Sequence, residues 1–204
     1  MNIGIIGAGN IGATLARLLI KAGHEVAISN SRGPESLKTL VAELGPHARA
    51  ASIADAALFA EVVIEAIPYG RYRELPAAAL VGKLLVTASN YFAGRDGEID
   101  FRGRAQSELV AEHLAGAQVV KAFNTIWVKH LQEQGDTAKP LDERRVIFLS
   151  GDDATAKQTV ADLITQLGFG PFDLGSLHES LKQEPSGALF NQDMTVAQAR
   201  AKLK

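Results

Sequence analysis

The chain has 204 residues, with 21 Lys and Arg against 23 Asp and Glu and a formal charge of −2. That balance gives no basis for binding nucleic acid or an anionic membrane, and the length allows one substantial core plus a small appendage. The absence of cysteine excludes disulfides, thiolate nucleophiles and cysteine-held metal or iron–sulfur centres.

In chain order, Met1 to Ile6 reads as a short buried strand that runs directly into Gly7-Ala8-Gly9-Asn10-Ile11-Gly12. A helix from Asn10 to Ala22 follows, with Ile11, Leu15, Leu18 and Leu19 at helical spacing. Strand, glycine turn and helix in this order form a pyrophosphate cradle. Gly7 permits the tight turn, Gly9 leaves room for phosphate, and Gly12 brings the helix close to the strand. The free N–H groups of the first helical turn then face an anion.

The second strand, His24 to Ile28, leads into Ser29-Asn30-Ser31-Arg32-Gly33. A site for NAD places an acid here to accept the ribose hydroxyls. This stretch has none, and Ser31 with Arg32 offers donors for the 2′-phosphate of NADP(H). The other reading of the stretch is a polar surface turn.

The alternation then continues. A helix is expected over Pro34 to Leu44, a weak strand at Ala48 to Ala51, and a short helix capped by Ser52 and running through Leu58. Val62 to Ala66 makes a buried strand ending at Ile67-Pro68, Tyr72 to Leu80 a helix, and Lys83 to Ala88 the fifth strand. Asn90 to Gly103 is a long polar loop, of the kind that covers a site. A helix over Ser107 to Leu114 precedes the strand Gln118 to Ala122, then Phe123-Asn124-Thr125 and a short helix from Val128 to Gln132.

Beyond a polar connector from Gly135 to Glu143, Arg144 to Ser150 is a strand. A helix from Ala154 to Leu167 is N-capped by Asp152 or Asp153 and stopped by Gly168. Phe169 to Leu174 forms a further strand, Ser176 to Lys182 a helix, and Ala188 to Leu203 a weakly patterned helical segment. The expected fold is α/β, a Rossmann-type doubly wound parallel sheet with a small C-terminal α/β extension. Residues 1–134 are expected to form the NADP-binding domain, and 135–204 a small lobe completing the crevice. The strand-first N-terminus and the lack of a long apolar run give the expectation of a cytoplasmic protein without a membrane span.

Read together, the glycine loop, Ser31-Arg32, Ser89-Asn90 and Lys121-Ala122-Phe123-Asn124-Thr125 give a resemblance to a known family. The chain resembles the NADP oxidoreductases that depend on the 5-deazaflavin coenzyme. The nucleotide-binding domain of that family also occurs in metalloreductases of the six-transmembrane epithelial antigen type. The resemblance extends through Gly151-Asp152-Asp153 and Asp173-Leu174-Gly175. It implies hydride transfer between the nicotinamide C4 and a flavin-like ring, with the deazaflavin coenzyme F420, FMN or FAD as second redox partner. It also implies a homodimer, and the apolar Leu174, Leu177, Leu181, Leu189 and Phe190 of the C-terminal lobe either form its contact or close one side of the protomer's own sheet.

By the same resemblance, Gly7, Ala8, Gly9, Asn10, Ile11 and Gly12 hold pyrophosphate, and Ser31 and Arg32 the 2′-phosphate. Ile67 and Pro68 lie over the nucleotide, while Asn90 and Asn124 face the crevice near the nicotinamide. Tyr69-Gly70-Arg71 departs from the family, where tryptophan is common after the proline.

Tyr69, Tyr91 and Phe92 either line a substrate pocket together with Asn124 or pack loops onto the sheet. Arg71, Arg73 and Arg95 either meet an anionic tail or are solvated. Lys121 either packs its stem or touches a charged partner. None of the five histidines is placed as an acid–base group or spaced as a metal ligand, so no catalytic side chain and no metal site are assigned. An imine or hydroxy-acid dehydrogenase and a non-catalytic NADP(H) sensor are the competing functional readings.

Overall fold

The structure, a computed structural model, describes residues 1–203. Its first half contains β1 (Asn2–Ile6), α1 (Asn10–Lys21), β2 (Glu25–Ser29), α2 (Lys38–Leu44) and β3 (Ala48–Ala50). Next come α3 (Ile53–Phe59), β4 (Val62–Glu65), α4 (Ala77–Leu80), β5 (Leu84–Thr87), α5 (Ala93–Asp96), α6 (Gln106–His113) and β6 (Gln118–Ala122). The chain ends with α7 (Val128–Glu133), β7 (Val146–Gly151), α8 (Ala154–Gln166), β8 (Gly170–Asp173) and α9 (Val196–Lys202).

The eight strands form one sheet in the order β3-β2-β1-β4-β5-β6-β7-β8. Period-2 alternation divides its residues between two buried faces. Ile3, Ile5, Val62, Ile64, Val86 and Val120 pack against Leu15 and Leu19 of α1 and Val160 and Leu163 of α8. Ile6, Val63, Leu85 and Val119 pack against Ala57 of α3 and Leu109 and Val110 of α6. Each such aliphatic side chain contributes about 1.5–3 kcal/mol of burial, so two covered faces hold the sheet flat-on between helices. Strand order reverses direction between β1 and β4, and the crevice at that switch point is where an open α/β sheet binds its ligand.

Caps follow the sequence. Ser52 accepts from Asp55 N at 3.1 Å ahead of α3, and Asp153, not Asp152, accepts from Ala156 N at 2.7 Å ahead of α8.

Three expectations change. The sheet is mixed: β7 runs antiparallel to β6, and β8 is parallel to β7. Between β6 and β7 the only α-helix, α7, packs on α1, so no helix bridges that strand pair as a parallel crossover would require. Secondly, several expected α-helices tighten. Pro34–Leu37 is 3-10 before α2, Tyr69–Glu74 is 3-10 where Pro76 splits it from α4, and His178–Gln183 is 3-10 before Glu184-Pro185. The last helix is only Val196–Lys202, started by a capping box of Thr195 and Gln198, and the 93–96 stretch of the expected polar loop is α5. Thirdly, Leu189 is buried with Val146, Phe148 and Val196, and Leu177 joins the second face of the sheet. Those leucines close the protomer's own core instead of offering a free surface.

Candidate functional site

The β1–α1 turn is built as its glycines require. Gly7 has φ 114° and its N–H donates to Ser29 O at 2.9 Å, fixing the turn to the end of β2. A Cβ on Gly12 would stand 1.8 Å from Gly7 O, so only glycine lets α1 lie this close to the strand. A Cβ on Gly9 would meet nothing within 4 Å, which leaves its outward side open. Gly9 is the N-cap of α1 and supplies no side-chain cap, and the helix's first internal bond is Ala13 N to Gly9 O at 2.8 Å. The earlier donors of that turn have no intrahelical partner and give the helix end a positive potential suited to an anion.

Two cavities flank this helix end. The first, about 380 Å³, is lined by Gly7, Ala8 and Gly9, by Asn30, Ser31 and Arg32, and by Ile53, Ile67, Pro68, Arg71, Glu74 and Leu75. Asn30 shapes its rim by accepting Arg32 N at 2.9 Å. The exposed guanidinium of Arg32 has no ion-pair partner among the described residues, whereas Arg71 is held by both carboxylate oxygens of Glu74. Arg32 is therefore the uncompensated cation of this wall.

The second cavity, about 210 Å³, is lined by Ile11, Ala88, Asn90, Phe123, Asn124, Ile126, Trp127, Phe190 and Asn191. Ile11 belongs to the first turn of α1, so one helix end serves both spaces. Asn90 and Asn124 are locked together. Asn90 Nδ2 donates to Asn124 O at 2.8 Å, and Asn124 Nδ2 donates to Asn90 Oδ1 at 2.9 Å and to Gln183 O at 2.7 Å. Asn124 Oδ1 is buried with no partner among the described residues, an unfilled acceptor in a cavity wall. Phe123 has φ 61°, unusual for a bulky residue, and this left-handed step turns the chain so that Phe123 and Asn124 both meet the cavity.

Of the three aromatics read as alternatives between pocket and packing, Tyr69 and Tyr91 pack against the second face of the sheet and Phe92 is exposed. Tyr69 is fully buried, donates to Gln106 O at 2.9 Å, and stacks with Tyr72, Tyr91 and Phe101. Its burial raises the phenol's pKa and keeps it neutral. Tyr91 is tied to Gly97 O at 2.7 Å, and Phe92 projects outward beneath the Arg95 guanidinium. None of the three lines the second cavity. Its rings are Phe123, Trp127 and Phe190, and Trp127, two residues past the Lys121–Thr125 run, is 61% exposed. The signal missed in the sequence was the adjacency of this single tryptophan to that run. Arg71 does line the first cavity, while Arg73 and Arg95 line neither.

Below the cavity floors lies a polar layer that strand-by-strand reading passed over. Glu65 and Lys121 are both fully buried. Burial, the largest influence, raises the Glu65 pKa, opposed by hydrogen bonds from Thr87, Ile67 N–H and Ser89 and by the Lys121 charge. Burial pushes the Lys121 amine down to about 8, opposed by the charges of Glu184 and Glu65.

A doubly wound sheet with a glycine cradle at its switch point defines a dinucleotide-binding protein. Comparison narrows the class. Residues 2–91 match the family described as NADP oxidoreductase, coenzyme F420-dependent. A hypothetical protein from Sinorhizobium meliloti has a structure similar over 96% of this chain and 95% of its own, with TM-score 0.85 and 37% identity. A proposed F420-dependent NADP-reductase from Arthrobacter sp. FB24 is similar over 96% of this chain and 99% of its own, with TM-score 0.75 and 28% identity. Metalloreductase STEAP3 of Rattus norvegicus is 32% identical over 184 residues, covering 89% of this chain and 35% of that protein. The chain thus spans about a third of the length of the curated relatives it matches. The chain has an F420-dependent NADP oxidoreductase-like fold, an NADP(H)-linked oxidoreductase fold, and the family match itself lies in residues 2–91. Among the described residues no helix is long and apolar enough to cross a membrane.

Proposed function

We propose that the protein is an NADP(H)-dependent reductase that passes hydride to a flavin-like ring, with the deazaflavin coenzyme as the leading acceptor and FMN or FAD as alternatives. The carrying observation is the pair of cavities on either side of the α1 N-terminus, one walled by the free cation Arg32 and the other by aromatic rings and an orphan amide oxygen. These residues fit NADP(H): helix-end N–H groups without an intrahelical partner and an open Gly9 for pyrophosphate, Ser31 and Arg32 for the 2′-phosphate, and Ile67-Pro68 over the nucleotide. In this reading Asn10, Ile11 and Gly12 form the phosphate-facing turn, and residues 135–204 complete the second cavity through Phe190 and Asn191.

When bound, the nicotinamide supplies or takes up the hydride. The chain contributes alignment and exclusion of water. The Asn124 Oδ1 acceptor suits a carboxamide N–H donor, Asn90 holds Asn124 in place, and Phe123, Ile126 and Trp127 offer an apolar face for a planar ring. None of the five histidines lines either cavity, in keeping with ring-to-ring transfer that needs no side-chain acid.

The test is anaerobic loss of NADPH absorbance with the deazaflavin coenzyme, FMN, FAD, quinones and ferric chelates offered separately. Oxidation is expected with a flavin-like acceptor and not with NADH in place of NADPH. No turnover with any acceptor would return the protein to nucleotide sensing. We place it in the cytoplasm as a homodimer, a pairing supported by the family resemblance and by the exposed ring of Phe92. Sedimentation at micromolar concentration should give twice the 21.7 kDa chain mass, and a single species at 21.7 kDa would remove the dimer.

A further inference from the structure

Glu65, Thr87, Lys121 and Ser150 are in-register partners on four neighbouring strands, β4, β5, β6 and β7. All four are fully buried, where the residues one step earlier on the same strands are apolar or small. A polar row across the middle of a core is costly unless every group is satisfied, and here it is used to anchor the loops above. Glu65 Oε2 accepts from Thr87 Oγ1 at 2.7 Å and from Ser89 Oγ at 3.1 Å. Glu65 Oε1 accepts from the N–H of Ile67 at 3.0 Å, and Ile67 lines the first cavity. Lys121 Nζ donates to the carbonyl of Ser89 at 2.5 Å.

Ser89 is followed by Asn90, which grips Asn124, and Asn124 lies three residues beyond Lys121. The ring of contacts therefore closes on itself beneath the second cavity. At the far end of the row, Ser150 Oγ accepts from Gln183 Nε2 at 3.1 Å, and the Gln183 carbonyl accepts from Asn124. Three of these bonds end on main-chain groups, at Ile67 in the wall of the first cavity and at Ser89 and Gln183 next to the second cavity's Asn90 and Asn124. An apolar core residue fills space equally well but fixes no direction. A buried hydrogen bond does.

We infer that the Glu65–Thr87–Lys121–Ser150 row positions the walls of the two cavities against each other, so that hydride donor and acceptor meet at transfer distance. The four are positioning residues; none lines either cavity. The inference rests on the hydride-transfer reading. It predicts that loosening the row degrades the transfer step while leaving the grip on the adenosine end of the nucleotide intact, because that grip depends on Ser31, Arg32 and the glycine loop.

The experiment uses Thr87→Val, which removes the central hydroxyl at nearly constant volume, Thr87→Ser, which restores it, and Lys121→Met. Binding of 2′,5′-ADP is titrated as the probe of the first cavity, and steady-state turnover is measured with NADPH and the deazaflavin coenzyme or FMN. Thr87→Val and Lys121→Met are expected to lower kcat about 10- to 100-fold, the cost of misplacing reactants by a fraction of an ångström to one ångström. The affinity for 2′,5′-ADP and the KM for NADPH should stay at the wild-type value, and Thr87→Ser should recover most of kcat. Wild-type kcat in Thr87→Val and Lys121→Met would overturn the inference, as would parallel loss of 2′,5′-ADP affinity and kcat, which marks a general structural role. A wild-type protein that binds 2′,5′-ADP but turns over no acceptor would overturn the transfer reading together with the inference, and is told apart by needing no variant.

Discussion

Arg32 carries the sharpest consequence at the scale of a single side chain. It stands exposed on the rim of the first cavity with no carboxylate to neutralise it, opposite an Arg71 whose charge is already spent on Glu74. Removing Arg32 should cost NADPH binding about 1.5–3 kcal/mol, the worth of a charge-assisted hydrogen bond. NADH has no phosphate at that place and should lose almost nothing. Calorimetric titration of Arg32→Ala with both cofactors checks this, and equal losses would make residues 29–33 an ordinary surface turn. Arg32 was legible in the sequence because its evidence is local: a strand end, a missing acid, a guanidinium. Glu65 and Lys121 were not, since nothing within Val62–Glu65 or Gln118–Ala122 says that these two residues fall on one row with Thr87 between them. Strand register supplies that fact, and register is a property of the assembled sheet.

The element that decides the second cavity is the turn from β6 to α7. The run from Lys121 to Thr125 was singled out in the sequence, but its use was not, because the left-handed φ of Phe123 is invisible in a residue string. That one step turns Phe123 and Asn124 to the cavity and is followed at once by Ile126 and Trp127. Tyr69 shows the opposite failure. It follows a strand end, where a loop aromatic is expected to face the ligand, yet the 3-10 turn of Tyr69–Glu74 folds it inward onto Gln106 and Tyr91. Trp127 separates binding from stability, because its side chain is largely exposed. Trp127→Ala should shift unfolding by no more than about 0.5 kcal/mol, as surface substitutions do. The same change should raise the KM for a planar acceptor about 2- to 10-fold, matching the 0.5–1.5 kcal/mol of a lost aromatic stack. Denaturant titration and acceptor-dependent turnover measure the two, and an unchanged acceptor KM would remove Trp127 from the acceptor wall.

For the whole molecule, the buried polar row makes stability depend on pH in a direction set by Lys121. Its amine has an ordinary pKa of 10.5 in the unfolded chain and about 8 when buried. Between those values the unfolded chain holds a proton that the folded protein has released, so the unfolded state binds more protons and stability rises with pH. Moving the amine from 10.5 to about 8 corresponds to about 3 kcal/mol in full. Glu65 acts in the opposite sense: its raised pKa gives stability that is present below 4.5 and lost as pH climbs through its folded value. Tyr69, kept neutral by burial, likewise withdraws stability as pH rises through its raised folded value, above 10, but it is present in any Lys121 variant and cancels in a comparison. The comparison to make is therefore wild type against Lys121→Met by denaturant unfolding at steps from pH 7 to 10. Below pH 8 the wild type carries the cost of a buried ammonium. Its unfolding free energy should then gain on that of the variant by up to about 3 kcal/mol, most of it beyond pH 8. A difference that stays flat would mean that Lys121 keeps its proton throughout. The row would then be an ion-paired layer, with the Glu65 and Glu184 carboxylates sharing that charge.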